Sequence, residues 1–338
     1  MSEKIFSATR IVQGEEPTPG SKADHLSAYY ERPYGFYSEN LRSKMINSSA
    51  RVAGVGGGGL TLAVLLAHEG VRDISIADLD RVDDSNIGRI PLLTPKHVGK
   101  WKVDVAAEMI AEHNPTANIR IYGDGIQKHN VEEFVGYDAG NNGETVAFDE
   151  IELTEPQHAL LLHRTARKFG RYVISATDVG RGGMVTTFSP HTEQTYEHYM
   201  GALPSDSEEK YLKKVRGFQL PTIPGVPTNG SLGTFISVMK GESLPTTMRS
   251  VLVATNLALD EFEKVITIDD PRYKNPHIYP DVHINNPDLG EDFVTRRPRR
   301  RTLARIGSAM VGFVIGKNPP ADYRPSDIER RQAYRNNL

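Results

Sequence analysis

The residues with chemical capacity fall in one ordered stretch. Gly54, Gly56, Gly57 and Gly59 come first, in the run GVGGGG. Asp78 and Asp80 follow about 20 residues later, and then Asn86, Arg89 and Lys102. Glycine carries no Cβ, so a phosphate or ribose can approach the backbone closely. An acid at the tip of the next strand accepts hydrogen bonds from ribose hydroxyls. The glycines and acids therefore predict an adenine nucleotide. Asn86, Arg89 and Lys102 then lie where its phosphates point: Lys102 suits α-phosphate or pyrophosphate oxygens, and Arg89 the β and γ groups. Hydride transfer needs no such array, whereas breaking a triphosphate does, because charge develops on the departing pyrophosphate. The bland alternative is a ligand-free tight turn, with Arg89 and Lys102 as solvated surface charges.

The elements that must position these residues are legible around them. Arg51–Val55 is a short β-branched run of the kind that makes a buried parallel strand. Leu60–Glu69 is apolar, helix-forming and stopped by Gly70. Asp73–Ala77 makes a second strand. This strand–glycine loop–helix–strand order aims the free N–H groups of a helix start at a negative ligand. Val82–Leu93 reads as a loop, Gly99–Asn114 as a helix halted by Pro115, and Asn118–Tyr122 as a third strand. Thr145–Leu153 is a strand whose mouth carries Asp149, Glu152 and Glu155. His158–Phe169 is a helix, and Tyr172–Ala176 and Met184–Phe188 are strands. The alternation predicts an α/β, Rossmann-like fold: a mainly parallel sheet with helices on both faces, plus a less regular C-terminal part. Pro245–Ile266 is the longest helical pattern, and Tyr273–Gly290 a loop with a short strand. The Gly180–Gly183 region is a hairpin bend or a close approach for an extended substrate tail.

The 338 residues hold 38% hydrophobic and 25% charged side chains with a net charge of -3, an ordinary globular balance that points to neither nucleic acid nor membrane. No apolar run approaches the roughly 20 residues of a membrane span, and MSEKIFSATR lacks a signal-peptide core, so the expected location is cytoplasmic. The chain has no cysteine, which excludes a disulfide, a thiolate nucleophile, a cysteine zinc site and a thioester on the protein itself. The 11 histidines show no close ligand pairing in sequence, and no structural zinc is expected; His158 and His163 read as helix-surface residues. Four segments are expected. Residues 1–40, rich in Tyr29, Tyr30, Tyr34 and Tyr37, pack an interface. Residues 41–190 form the nucleotide-binding domain. Residues 191–318 supply substrate-covering loops and the C-terminal helix and strand of the same fold, and 319–338 a polar tail. The basic run Arg296–Arg301 reads as a solvated face.

From about Phe36 to Pro190 the sequence resembles the E1-like adenylating-enzyme superfamily of ThiF, MoeB and HesA type. The signs are GVGGGG, the strand ending ADLD, Asn86-x-x-Arg89, and Val98-Gly99-x-x-Lys102 leading into a helix ended by Asn114-Pro115. The resemblance implies a homodimer or pseudo-dimer that adenylates a carboxylate with ATP and Mg²⁺, releasing pyrophosphate. The carboxylate would be a small molecule or a peptide or protein C-terminus. Carried over by position, Gly54, Gly56, Gly57 and Gly59 cradle the nucleotide, Asp80 with Asp78 holds the ribose side, and Asn86, Arg89 and Lys102 take the phosphates. Glu155 takes the place of the family's metal-binding Asp, or else caps the helix after Pro156. The pattern is broken at Glu39, where an Arg is expected, at Ile90 in place of Gln, at Glu155 and in the missing cysteines. A cysteine-free member must hand its adenylate to another nucleophile. Two other readings use the same residues: a degenerate ThiF-like scaffold that binds nucleotide or partner without catalysis, and an NAD- or FAD-dependent oxidoreductase.

Overall fold

A computed structural model describes residues 9–16, 18, 37–137, 140, 142–152, 155–179, 181–215, 246–286 and 291–295. Residues 1–8, the tyrosines at 29, 30 and 34, Arg296–Arg301 and the 319–338 tail lie outside the described residues.

The strands are β1 (Arg10–Val12), β2 (Ser49–Ala53), β3 (Asp73–Ala77), β4 (Asn118–Tyr122), β5 (Thr145–Asp149), β6 (Tyr172–Val179), β7 (Gly182–Phe188), β8 (Val282–Asn286) and β9 (Glu291–Thr295). They form one nine-stranded sheet in the order β1-β4-β3-β2-β5-β6-β7-β8-β9. The middle of the sheet, from β4 to β6, is parallel. Antiparallel strands extend it at both ends: β1 on β4, and β7, β8 and β9 beyond β6. β2 pairs with both β3 and β5, so the chain reverses its direction of travel across the sheet between β2 and β5. Ligands of open α/β sheets bind in the crevice at such a switch point.

The helices are α1 (Glu39–Asn47), α2 (Gly57–His68), α3 (Asp84–Ile87), α4 (Lys102–His113), α5 (Val131–Gly136), α6 (Pro156–Lys168), α7 (Tyr196–Met200), α8 (Glu208–Val215) and α9 (Met248–Ile266). On one face, α2, α4 and α9 share a core with Ala50, Val52, Ile74, Ile76, Phe148 and Ile174. On the other, α5, α6, α7 and α8 pack on Ala53, Ala77, Ala147 and Val173. The alternation of inward sides along each strand produces the two layers. α2 is buried along nearly its whole length, which explains its apolar composition on every side.

β2 begins two residues before the predicted strand and ends two before it, because Gly54 already turns. Within β2, Arg51 is fully buried. Its Nη2 donates to Asp73 Oδ2 at 2.6 Å and to the Tyr137 carbonyl at 3.1 Å, and Arg120 reaches the other oxygen of Asp73 at 3.3 Å. The charge is tolerated in the sheet because a carboxylate answers it.

Candidate active site

The loop after β2 is set by its glycines. Gly54 has φ +90°, and a Cβ there would lie 2.4 Å from the Glu150 carbonyl oxygen. A Cβ on Gly59 would lie 1.8 Å from the Gly54 carbonyl oxygen, so the loop folds back onto its own backbone. Gly56 differs: nothing stands within 4 Å of its Cβ position. Gly56 is also the N-cap of α2 and offers no side-chain acceptor to the first N–H groups of the helix. A helix start left uncapped beside open space suits an anion.

Asp78 fastens this loop to the next strand. Its Oδ2 accepts from Val55 N–H at 2.8 Å, and its Oδ1 accepts from Asp80 N–H at 2.8 Å. Burial pushes the Asp78 carboxyl upward, and Lys102 partly offsets this. Asp80 is exposed, and its Oδ2 accepts from Lys102 Nζ at 2.7 Å. Lys102, the first residue of α4, is itself buried. The expected ribose ligand and the expected phosphate ligand therefore touch one another.

Asn86 is buried, and its Oδ1 accepts from Asp83 N–H at 3.0 Å, closing a capping box that holds α3. That one-turn helix fixes Arg89, whose N–H donates to the Asn86 carbonyl at 3.1 Å. The Arg89 guanidinium comes within 3.9 Å of the Cβ position of Gly57 and donates to Thr246 Oγ1 at 3.5 Å. Neither Arg89 nor Lys102 is turned out into bulk water.

Two acids at the strand ends complete the site, and the sequence reading passed over both. The Glu150 carboxylate, just after β5, lies 2.3 Å from the Cβ position of Gly58. Burial raises its carboxyl well above the usual range, and the neighbouring Asp178 and Asp149 add to this. Asp178, near the end of β6, is likewise pushed up by burial, with Arg89 pulling the other way. Its Oδ2 is buried with no hydrogen-bond partner. Two mutually repelling carboxyls, one of them with an orphaned buried oxygen, have the chemistry that a cation would satisfy. Glu155, the residue carried over for this role, sits at the N-cap of α6. It makes no capping bond there, and its side chain lies 4.0 Å from His158 Nε2. Among the described residues no hydrogen bond or ion pair joins its side chain to Arg89 or to the glycine loop. The signal for Glu150 and Asp178 was present: acids at the C-terminal ends of parallel strands.

A family model described as the ThiF family matches residues 30–293. The chain belongs to the ThiF family. Among relatives of this ThiF chain is a probable molybdopterin-synthase adenylyltransferase of Gracilaria tenuistipitata var. liui. It is 26% identical over 275 residues, which span 77% of this chain and 69% of the relative. One from Porphyra purpurea is 31% identical over 118 residues, 32% of this chain and 31% of the relative. Among solved structures, PaaA matches with TM-score 0.56 and 17% identity over 84% of this chain and 77% of that one. E. coli MccB with ATP matches with TM-score 0.53 and 17% identity over 81% and 69%. E. coli MccB with AMPCPP and MccA matches with TM-score 0.54 at the same identity and coverage. At that identity the structural likeness shows the fold alone. The family and the Rossmann-like fold expected from the sequence are those found.

Other parts of the ThiF chain correct the sequence reading. His163 is no surface residue: its Nε2 lies 2.9 Å from Asp149 Oδ2, and its ring stacks on Tyr196 at 3.9 Å. The β6–β7 bend is a hairpin, with Val179 opposite Gly182. A Cβ on Gly183 would lie 2.8 Å from the Ala254 backbone, so this glycine admits α9 rather than a substrate tail. The segment expected to begin the substrate-covering loops holds two helices, α7 and α8, and residues 216–245 lie outside the described residues. Two neighbouring histidines also meet an acid from an earlier helix: His277 and His283 lie beside Glu261 of α9. Among the described residues no helix is long and apolar enough to cross a membrane.

Proposed function

We propose that this chain is an ATP-dependent adenylyltransferase that activates a carboxylate as its acyl-adenylate, releasing pyrophosphate, with no thioester on a cysteine of its own. One observation carries the reading. At the sheet's switch point, an uncapped helix start with open space at Gly56 has Arg89 beside Gly57 and is tied through Asp78 to the Asp80–Lys102 pair. ATP would lay its phosphates over Gly56–Gly59, with its ribose at Asp80. Lys102 would pass from Asp80 to the phosphates, and Arg89 from Thr246 to the β and γ groups. Mg²⁺ fits the acid pair better than Glu155: Asp178 has a buried oxygen without a partner, and Glu150 is held close by. Bound there, Mg²⁺ would draw charge from the triphosphate. The carboxylate would be a small acid or a peptide or protein C-terminus, attacking the α-phosphorus. A second copy of the chain completes a homodimer in this reading.

The test is Mg²⁺-dependent exchange of labelled pyrophosphate into ATP in the presence of candidate carboxylates. Arg89→Ala and Lys102→Ala should each lower exchange by about 10²-fold or more, since each removes charge that stabilises the departing pyrophosphate. Exchange that survives both changes would overturn the site. Tight ATP binding without exchange would instead favour the non-catalytic scaffold, and a melting shift with NAD alone the oxidoreductase.

A further inference from the structure

The far end of α9 holds a cluster that the nucleotide site does not use. Glu261 is fully buried there, and one ligand atom each from Glu261, His277 and His283 lies within 4.8 Å of the others. Both imidazoles are held by carboxylates. His277 Nδ1 lies 2.6 Å from Glu261 Oε1, and His283 Nε2 lies 2.6 Å from Asp292 Oδ1. With Nε2–H donated to Asp292, His283 keeps its lone pair on Nδ1. That nitrogen is buried and has no partner. An unanswered buried acceptor costs about 1–3 kcal/mol, and an imidazole oriented by a carboxylate with its other nitrogen free is the arrangement that binds metals.

Charge points the same way. Asp260, Glu261 and Asp292 bring three carboxylates to the cluster, while Lys264 brings one ammonium. Lys264 donates to Glu261 Oε1 at 2.8 Å and to Asp260 Oδ2 at 2.5 Å, so it can stay with Asp260 when Glu261 turns to a cation. Thr187 Oγ1 and the His277 N–H fix the second oxygen of Glu261 at 3.0 Å and 2.7 Å. We infer that His277, His283 and Glu261 form a binding site for a late first-row divalent cation of the Zn²⁺ class, with an open position for water. Two imidazoles and one carboxylate suit Zn²⁺ and its neighbours rather than Mg²⁺ or Ca²⁺. The expectation of no structural zinc rested on the missing cysteines and on histidines without close ligand pairing in sequence; a histidine–carboxylate site needs no cysteine, and the fold makes the pairing.

The site is separate from the nucleotide. Val251, which touches the glycine loop, precedes Glu261 by about 15 Å of helix. The ion would pin the C-terminal end of α9 to β7, through Thr187, and to β8 and β9, through His283 and Asp292.

The experiment uses the full chain, freed of metal by chelator and titrated with Co²⁺ and Zn²⁺. One equivalent should bind, with the visible absorption of a low-coordinate Co²⁺ ion, and Zn²⁺ should displace it and raise the melting temperature. His277→Gln and His283→Gln should each weaken binding at least about tenfold, and Asp292→Asn about tenfold by loosening His283. Arg89→Ala should leave it unchanged. A second measurement needs no variant: Zn²⁺ should protect His277 and His283 of the unaltered protein from carbethoxylation, read by mass spectrometry. A Co²⁺ spectrum like that of the free aqueous ion would overturn the inference. So would affinity indifferent to both histidine variants, or protection falling on other histidines.

Discussion

At the scale of single residues, the glycine loop separates two demands that the sequence shows as one run. Gly59 serves the fold, because its Cβ position is 1.8 Å from the Gly54 carbonyl oxygen. Gly56 serves the space above the loop, because no atom stands within 4 Å of its Cβ position. Gly59→Ala should therefore lose about 3 kcal/mol or more in a denaturant titration, as overpacked sites do when backbone must move. Gly56→Ala should stay within about 1 kcal/mol of the parent. Its methyl group should instead cut ATP affinity, measured by calorimetry. Equal ATP affinity in Gly56→Ala and the parent would mean that the phosphates do not cross this loop. The order of glycine turn, helix and acid-tipped strand was legible because local composition and spacing fix it. Glu150 and Asp178 were not, since their adjacency depends on β5 and β6 pairing side by side. Glu155 follows from position along the chain alone, and its side chain stands at the start of α6 beside His158.

At the scale of elements, α2 and α9 meet across an acid pair. Glu69, the C-cap of α2, and Glu263 on α9 both reach Tyr37, whose hydroxyl donates to Glu263 Oε1 at 3.5 Å. Burial first, then Glu69 and Asp260, push the Glu263 carboxyl up to about 7, while Tyr37 and Lys264 oppose them. Unfolded, a glutamate titrates at about 4.3. Between those values the folded chain binds more protons than the unfolded one, so this group's contribution to stability falls as pH rises. It is fully present below about 4.3 and lost as pH passes about 7. Glu263→Gln, neutral throughout, should gain stability over the parent at pH 8 and lose that advantage at pH 5. Urea midpoints of both proteins at the two pH values check this. An unchanged difference between them would mean that Glu263 ionises freely at the helix contact.

At the scale of the whole molecule, the site is closed by an element far from it in sequence. The parallel middle of the sheet was legible because each of its strands carries its own apolar signal; Asn118–Tyr122 and Asp73–Ala77 were placed to the residue. β1 was not, since three exposed residues become a strand only by pairing with β4. Nor was the place of α9: its periodicity gave the helix, while its position over the glycine loop depends on Gly183 admitting Ala254. Phe262 fixes that position. It is fully buried on α9, with its ring 5.7 Å from that of Phe148 on β5, the residue before Asp149 and Glu150. Phe262→Ala should lose about 3–5 kcal/mol through the cavity left behind. The N-terminal turn of the same helix brings Val251 to Gly57, and the residues before it bring Thr246 to Arg89. A loosened α9 should therefore also weaken the proposed nucleotide site, and the rise in melting temperature expected of the parent with ATP should shrink in the variant. A full ATP shift in a destabilised Phe262→Ala protein would show that β2, α2 and Arg89 hold the triphosphate without α9.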